Sequence, residues 1–232
     1  MKERPFLISG ILGLGAVIVT LVLSAVGPRP TAPLADGFIT PVLAFEFAET
    51  EGEVAALFAP VDQPAGDAVR ADMDRVNRLD FLYIALYGGC LLAFALTCYR
   101  LTGQRVYLLT AALAVAIMIA DVLENAQLLA ITRDLGTQPV DDLLLRLRLF
   151  TWLKWGGLAL WFLLMRPYFQ STGRVGRFIG LVSVLPLLLG VVAFFSPGLL
   201  SELFALAIGL LFLLLTIYAW RFRQPAPAPA RA

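Results

Sequence analysis

Apolar runs of about twenty residues, each closed by a short polar or Pro/Gly stretch, set the rhythm of this chain. Six of them stand out, at about 6–26, 80–99, 106–131, 149–165, 178–195 and 199–220. A helix of that length spans roughly 30 Å, the thickness of a bilayer's hydrocarbon core. The pattern therefore predicts an all-α fold, a polytopic bundle of about six membrane helices forming one integral domain over residues 1–224. The first run follows Met1-Lys2-Glu3-Arg4-Pro5 and is longer than a signal-peptide core. No convincing cleavage site appears in Gly27-Pro28-Arg29-Pro30, so the run reads as a retained helix. Pro186 predicts a kink in the fifth run, and the Pro/Ala tail at 225–232 predicts disorder.

Between the first two runs lies the one sizeable external segment, residues 28–78. Pro28, Pro30 and Pro33 favour extended backbone. Thr50 with Glu53 three residues on is a capping box, opening a short helix through Val54, Leu57 and Phe58 that Pro60 and Pro64 end. Phe45, Phe47, Leu57 and Phe58 predict that this segment lies on the membrane surface or caps the bundle. Glu46 and Glu49, beside those aromatics, could coordinate a cation, but a solvated face is the expected reading. Asp67 is placed to N-cap a helix whose apolar positions Val69, Met73, Val76 and Leu79 run straight on into the second span. Arg166 to Arg177 reads as a basic loop.

Composition narrows the classes. The chain of 232 residues is 59% hydrophobic and 15% charged, with a net charge of +1. The near-balance of charge argues against a nucleic-acid partner. With no histidine in the sequence, histidine-ligated haem, di-iron histidine boxes, HExxH zinc sites and Ser-His triads are all excluded. Cys90 and Cys98 stand on one helix about 12 Å apart, too far to bridge, and no CxxC pair exists. No metal site or cofactor motif is present. Basic residues favour one set of span ends over the other, ten to seven. That bias predicts an inner-membrane protein with both termini in the cytoplasm.

The chemistry is concentrated in the third run. Asp121, Glu124 and Asn125 share one face of that helix, and Leu128 continues the stripe. Two carboxyls and an amide within a membrane are costly, so the fold must satisfy them. Depth along each span identifies partners. Counting from the external ends, Glu124 lies about 10 Å down, Asp121 about 15 Å, Lys154 about 9 Å, Tyr83 about 5 Å and Tyr87 about 10 Å. Asp80, Tyr83 and Tyr87 share a face of the second span. A single lysine can pair Asp121 or Glu124, leaving the other carboxyl to protonate or to meet Asn125, Gln127 or a tyrosine. The candidate site is thus Asp80, Tyr83, Tyr87, Asp121, Glu124, Asn125 and Lys154, with Asp121 and Glu124 as candidate general acids. A clamp that only fixes helix positions needs fewer charges. Gly88-Gly89 and Gly156-Gly157 predict close helix approach.

The pieces Ala44-Phe45-Glu46-Phe47-Ala48-Glu49-Thr50, Asp80-Phe81-Leu82-Tyr83-Ile84 with Tyr87, Asp121-Val122-Leu123-Glu124-Asn125 and Lys154-Trp155 carry a resemblance. In that order they resemble a group of uncharacterised bacterial polytopic inner-membrane proteins. The resemblance implies the architecture and these residues, and no activity. Three functions fit the residues. One is a binding or accessory protein for a lipid or small amphiphile, with a polar pocket open to the external face. The second is a membrane enzyme using a buried carboxyl on a lipid or isoprenoid substrate. The third is a structural subunit of a larger membrane complex.

Overall fold

The computed structural model describes residues 4–29, 34–35, 37–58 and 63–223. These form helices and no strand: α1 (Leu7–Val26), α2 (Pro41–Glu46), α3 (Glu51–Phe58), α4 (Gln63–Thr102), α5 (Val106–Asp134), α6 (Asp141–Gln170), α7 (Arg174–Val182), α8 (Leu185–Phe195) and α9 (Leu199–Arg221). Five stretches are long and apolar enough to cross a membrane: Leu7–Val26, Gly66–Thr102, Val106–Asp134, Arg174–Phe195 and Leu199–Arg221. The chain is therefore all-helical and compatible with a multi-pass membrane protein. At 30 residues α6 is as long as its neighbours. Lys154, Arg166 and three tryptophans dilute its apolar character, and it is not one of the five.

Neighbours in sequence pack as neighbours in space. α1 lies on α4, α4 on α5, α5 on α6, α6 on α7 and α8, and α9 closes the circuit onto α1. One end of the bundle, the capped end, carries α2 and α3; the other carries the start of α1 and the end of α9. Glycines let the tightest turns form: Gly103 at φ +69° joins α4 to α5, and Gly198 at φ +96° precedes α9. Two apolar cores result. The smaller, at the capped end, gathers Phe45, Val54, Phe58, Met73, Ile131 and Leu144. The larger fills the other half with Phe6, Phe94, Trp161, Tyr168, Phe169 and Tyr218.

The capping box forms as expected. Thr50 Oγ1 accepts from Glu53 N at 3.2 Å and Glu53 Oε2 accepts from Thr50 N at 3.2 Å. Phe45, Phe47 and Phe58 are buried, so the segment caps the bundle. The continuous helix from the external segment into the second span is also present. It begins at Gln63, however, so Asp67 lies inside α4 and caps nothing. Its inward stripe is Val69, Met73, Val76, Ile84 and Tyr87, and Leu79 falls off that stripe into an exposed position. The basic loop shrinks to three residues, because α6 runs through Pro167 to Gln170 and α7 restarts at Arg174. Near a helix end the proline removes only one backbone hydrogen bond. The kink in the fifth run falls where Pro186 cannot donate to the Val182 carbonyl, and α7 ends there. Ser183 Oγ donates to the Gly180 carbonyl at 2.9 Å, closing the last turn of α7. Of the glycine pairs, a Cβ on Gly88 would collide with Met118, and one on Gly157 would stand 2.7 Å from Ile117. Gly156 has open space beside it and allows no close approach. The tail at 225–232 and the expected helix stop at Pro60 lie outside the described residues.

Candidate functional site

Helical periodicity and antiparallel packing together build one wall of the site. On α5, Asp121, Glu124, Asn125 and Leu128 recur at helical spacing, and all four are buried. α4 runs the other way beside them, so its polar residues meet theirs as rungs. Thr132 Oγ1 donates to Asp74 Oδ1 at 2.7 Å, Asn125 Nδ2 to Asp80 Oδ2 at 2.7 Å, and Tyr87 OH to Asp121 Oδ2 at 2.5 Å. Tyr83 stacks obliquely on Tyr87, ring centroids 5.0 Å apart.

Lys154 of α6 is the hub. Its Nζ lies 3.0 Å from Glu46 Oε2 and 3.5 Å from Asp121 Oδ1, and it contacts Glu124 Oε2 as well. Glu124 has no exposed surface. Its second oxygen accepts from Thr151 Oγ1 at 2.6 Å, one helical turn before Lys154. Glu46 also accepts from Trp155 Nε1 at 2.9 Å, and Lys154 Nζ stands 5.0 Å from the Trp155 ring centre. Three carboxyls, Glu46, Asp121 and Glu124, thus meet one ammonium, and a fourth, Asp80, lines the same cavity. Removing charges from water is expensive unless each is paired and hydrogen-bonded. The donors Tyr87, Asn125, Thr151 and Trp155 supply the bonds, but one lysine cannot match four negative charges.

Beside this cluster is a cavity of about 220 Å³. Leu43 and Glu46 of α2 roof it, and Asp80, Tyr83, Tyr87, Asp121, Lys154, Trp155 and Leu158 form its polar and aromatic side. Ala205, Ile208, Gly209 and Phe212 of α9 form an apolar side opposite. The roof is tied to that same helix. Glu202 of α9 accepts from Ile39 N at 2.9 Å and Thr40 N at 2.7 Å through Oε1, and from Thr40 Oγ1 at 2.8 Å through Oε2.

All seven residues expected from the sequence come together around this cavity or directly behind its wall. Three details differ. Lys154 touches both Asp121 and Glu124 rather than choosing one. Asn125 serves Asp80, not Asp121 or Glu124. Gln127 turns away, its amide donating to the Leu123 carbonyl at 3.4 Å. Sequence reasoning missed Glu46, read as solvated, whose carboxylate instead reaches Lys154. Its neighbour Glu49 does face outward, 3.4 Å from Arg148. The available signal was a lone acid between two phenylalanines, Phe45 and Phe47, on a segment already expected to pack inward. Thr151, Trp155 and the α9 wall were also missed. The first two stand one turn before and one residue after Lys154.

Fold and site together define an all-helical chain with several membrane-compatible helices and a buried, ion-paired polar layer. Comparison with family models, curated proteins and solved structures finds no match to this chain.

Proposed function

We propose that this chain is a six-span inner-membrane protein, termini in the cytoplasm, that binds the polar head of a lipid or small amphiphile in the cavity beside Lys154. One observation carries the reading: the cavity wall changes from charged and aromatic on α4, α5 and α6 to apolar on α9. A molecule with a polar head and an apolar remainder matches such a wall, and neither a fully polar solute nor a hydrocarbon does. The sixth span is α6, whose 30 residues are long enough to cross.

The test is lipid analysis of the full chain purified in mild detergent, set against Ile208→Trp, which fills the cavity from α9. An amphiphile held at about one per chain by the wild type and lost by the variant, with helix content unchanged, supports the reading. Absence of any stoichiometric species from the wild type overturns it.

An enzyme reading keeps one residue. Asp121 lines the cavity and is held by Tyr87, whereas Glu124 sits behind Lys154. If a substrate is turned over, Asp121→Asn leaves the fold intact and abolishes a product visible in cell lipid extracts.

A further inference from the structure

The cavity's position relative to α1 says how a ligand reaches it. α1 leans on α9 through its first half. Trp220 Nε1 donates to the Gly10 carbonyl at 2.9 Å, and a Cβ on Gly13 would meet the Thr216 side chain. Ser9, Gly10, Gly13 and Ala16 are accordingly buried. From Val17 to Val26 no residue of α1 is buried, and Leu21 is 66% exposed. The α9 rim of the cavity lies in the half that α1 leaves uncovered. Gly209 is exposed with open space around it, and Leu206 and Leu210 beside it are also exposed. A volume of about 220 Å³ falls below the roughly 300–1,000 Å³ that encloses a whole drug-sized ligand. It accommodates a head and a few methylenes, so a tail must leave through the uncovered side.

The head's charge follows from the wall. Lys154 is already shared by Glu46, Asp121 and Glu124, so no free positive charge faces the cavity to receive an anion. Among the described residues Asp80 has Asn125 as its hydrogen-bond partner and no ion pair. Tyr83, Tyr87, Trp155 and Phe212 line the same cavity with ring surfaces, the lining that favours an alkylammonium. Among the described residues no group of three carboxyls is arranged to hold a metal ion; the three that meet do so on the Lys154 ammonium.

Resting on the binding reading above, we propose that the occupant is an amphiphile with a cationic amine head. It enters sideways from the bilayer between α4 and α9, its ammonium facing Asp80 and Asp121 and its chain lying along the exposed face of α9.

The test is titration of the full chain in dodecyl maltoside with three probes of equal chain length, dodecylamine, dodecanoic acid and dodecanol, read by native mass spectrometry. The expected result is one dodecylamine per chain, bound at least tenfold more tightly than the other two. Asp80→Asn, which can still accept from Asn125, reduces that preference to less than threefold. Gly209→Leu, built into open space and so compatible with the fold, slows dodecylamine association at least fivefold with the head preference kept. Equal binding of the three probes, or preference for the acid, overturns the amine assignment and leaves amphiphile binding standing. No saturable binding of any probe overturns both. Unchanged association in Gly209→Leu overturns the sideways route.

Discussion

The two halves of this bundle are stabilised in opposite ways. Away from the cap, the core is a raft of rings. Phe6 stacks on Phe94 with centroids 4.4 Å apart, and Phe94 in turn meets Trp161, Tyr168, Phe169 and Tyr218. Toward the cap, a layer of carboxyls around Lys154 separates that raft from the smaller apolar core. Ring packing is tolerant, since many side chains of similar volume fill the same space. The ionic layer is not, because each member leaves an uncompensated charge when its partner is lost. Cavity and charge occur together in the half where substitution is least forgiving.

Substitutions sharpen this contrast. Lys154→Met removes the one cation among four carboxyls and should cost about 3–5 kcal/mol, seen as loss of monodisperse protein in detergent. Adding Glu124→Gln should recover part of that loss, and a double variant no better than the single would show the lysine is not acting through charge. Phe94→Leu, in the middle of the ring raft, should cost about 1–3 kcal/mol in thermal unfolding, through lost volume and ring contacts, and leave ligand binding unchanged. A loss as large as that of Lys154→Met would erase the distinction between the halves. The smallest effect is expected from Tyr87→Phe, which deletes the bond to Asp121 and keeps the ring. Interhelical hydrogen bonds in membranes average about 0.6 kcal/mol, so a near-wild-type melt with weakened amine binding is the expected outcome.

The legible part of this molecule is whatever helix geometry controls. A fixed rise per residue is enough to set Glu124, Lys154 and Tyr87 at one depth, with Asp121 about one turn deeper, before any contact is known. Thr50 and Glu53 declare a helix start for the same reason, because the spacing is the mechanism. Glu46 escaped because it sits on a six-residue helix within a loop, whose path no periodicity dictates. Ala205, Ile208, Gly209 and Phe212 escaped because nothing distinguishes them from lipid-facing residues until α4 is seen across the gap. The number of spans is hardest to read at α6, where the buried lysine lowers the apolar signal.

Glu202 imposes an order on biosynthesis. It lies 162 residues after Thr40, its partner in the roof. The ionic layer draws only on α2, α4, α5 and α6, so it can assemble once the chain is made as far as Gln170. The cavity cannot, because its far wall and the tether for its roof both arrive with α9, which follows Gln170 in the chain. A chain made as far as Gln170 can therefore already pair Lys154 with its carboxyls, while the cavity beside them closes only once α9 has been added.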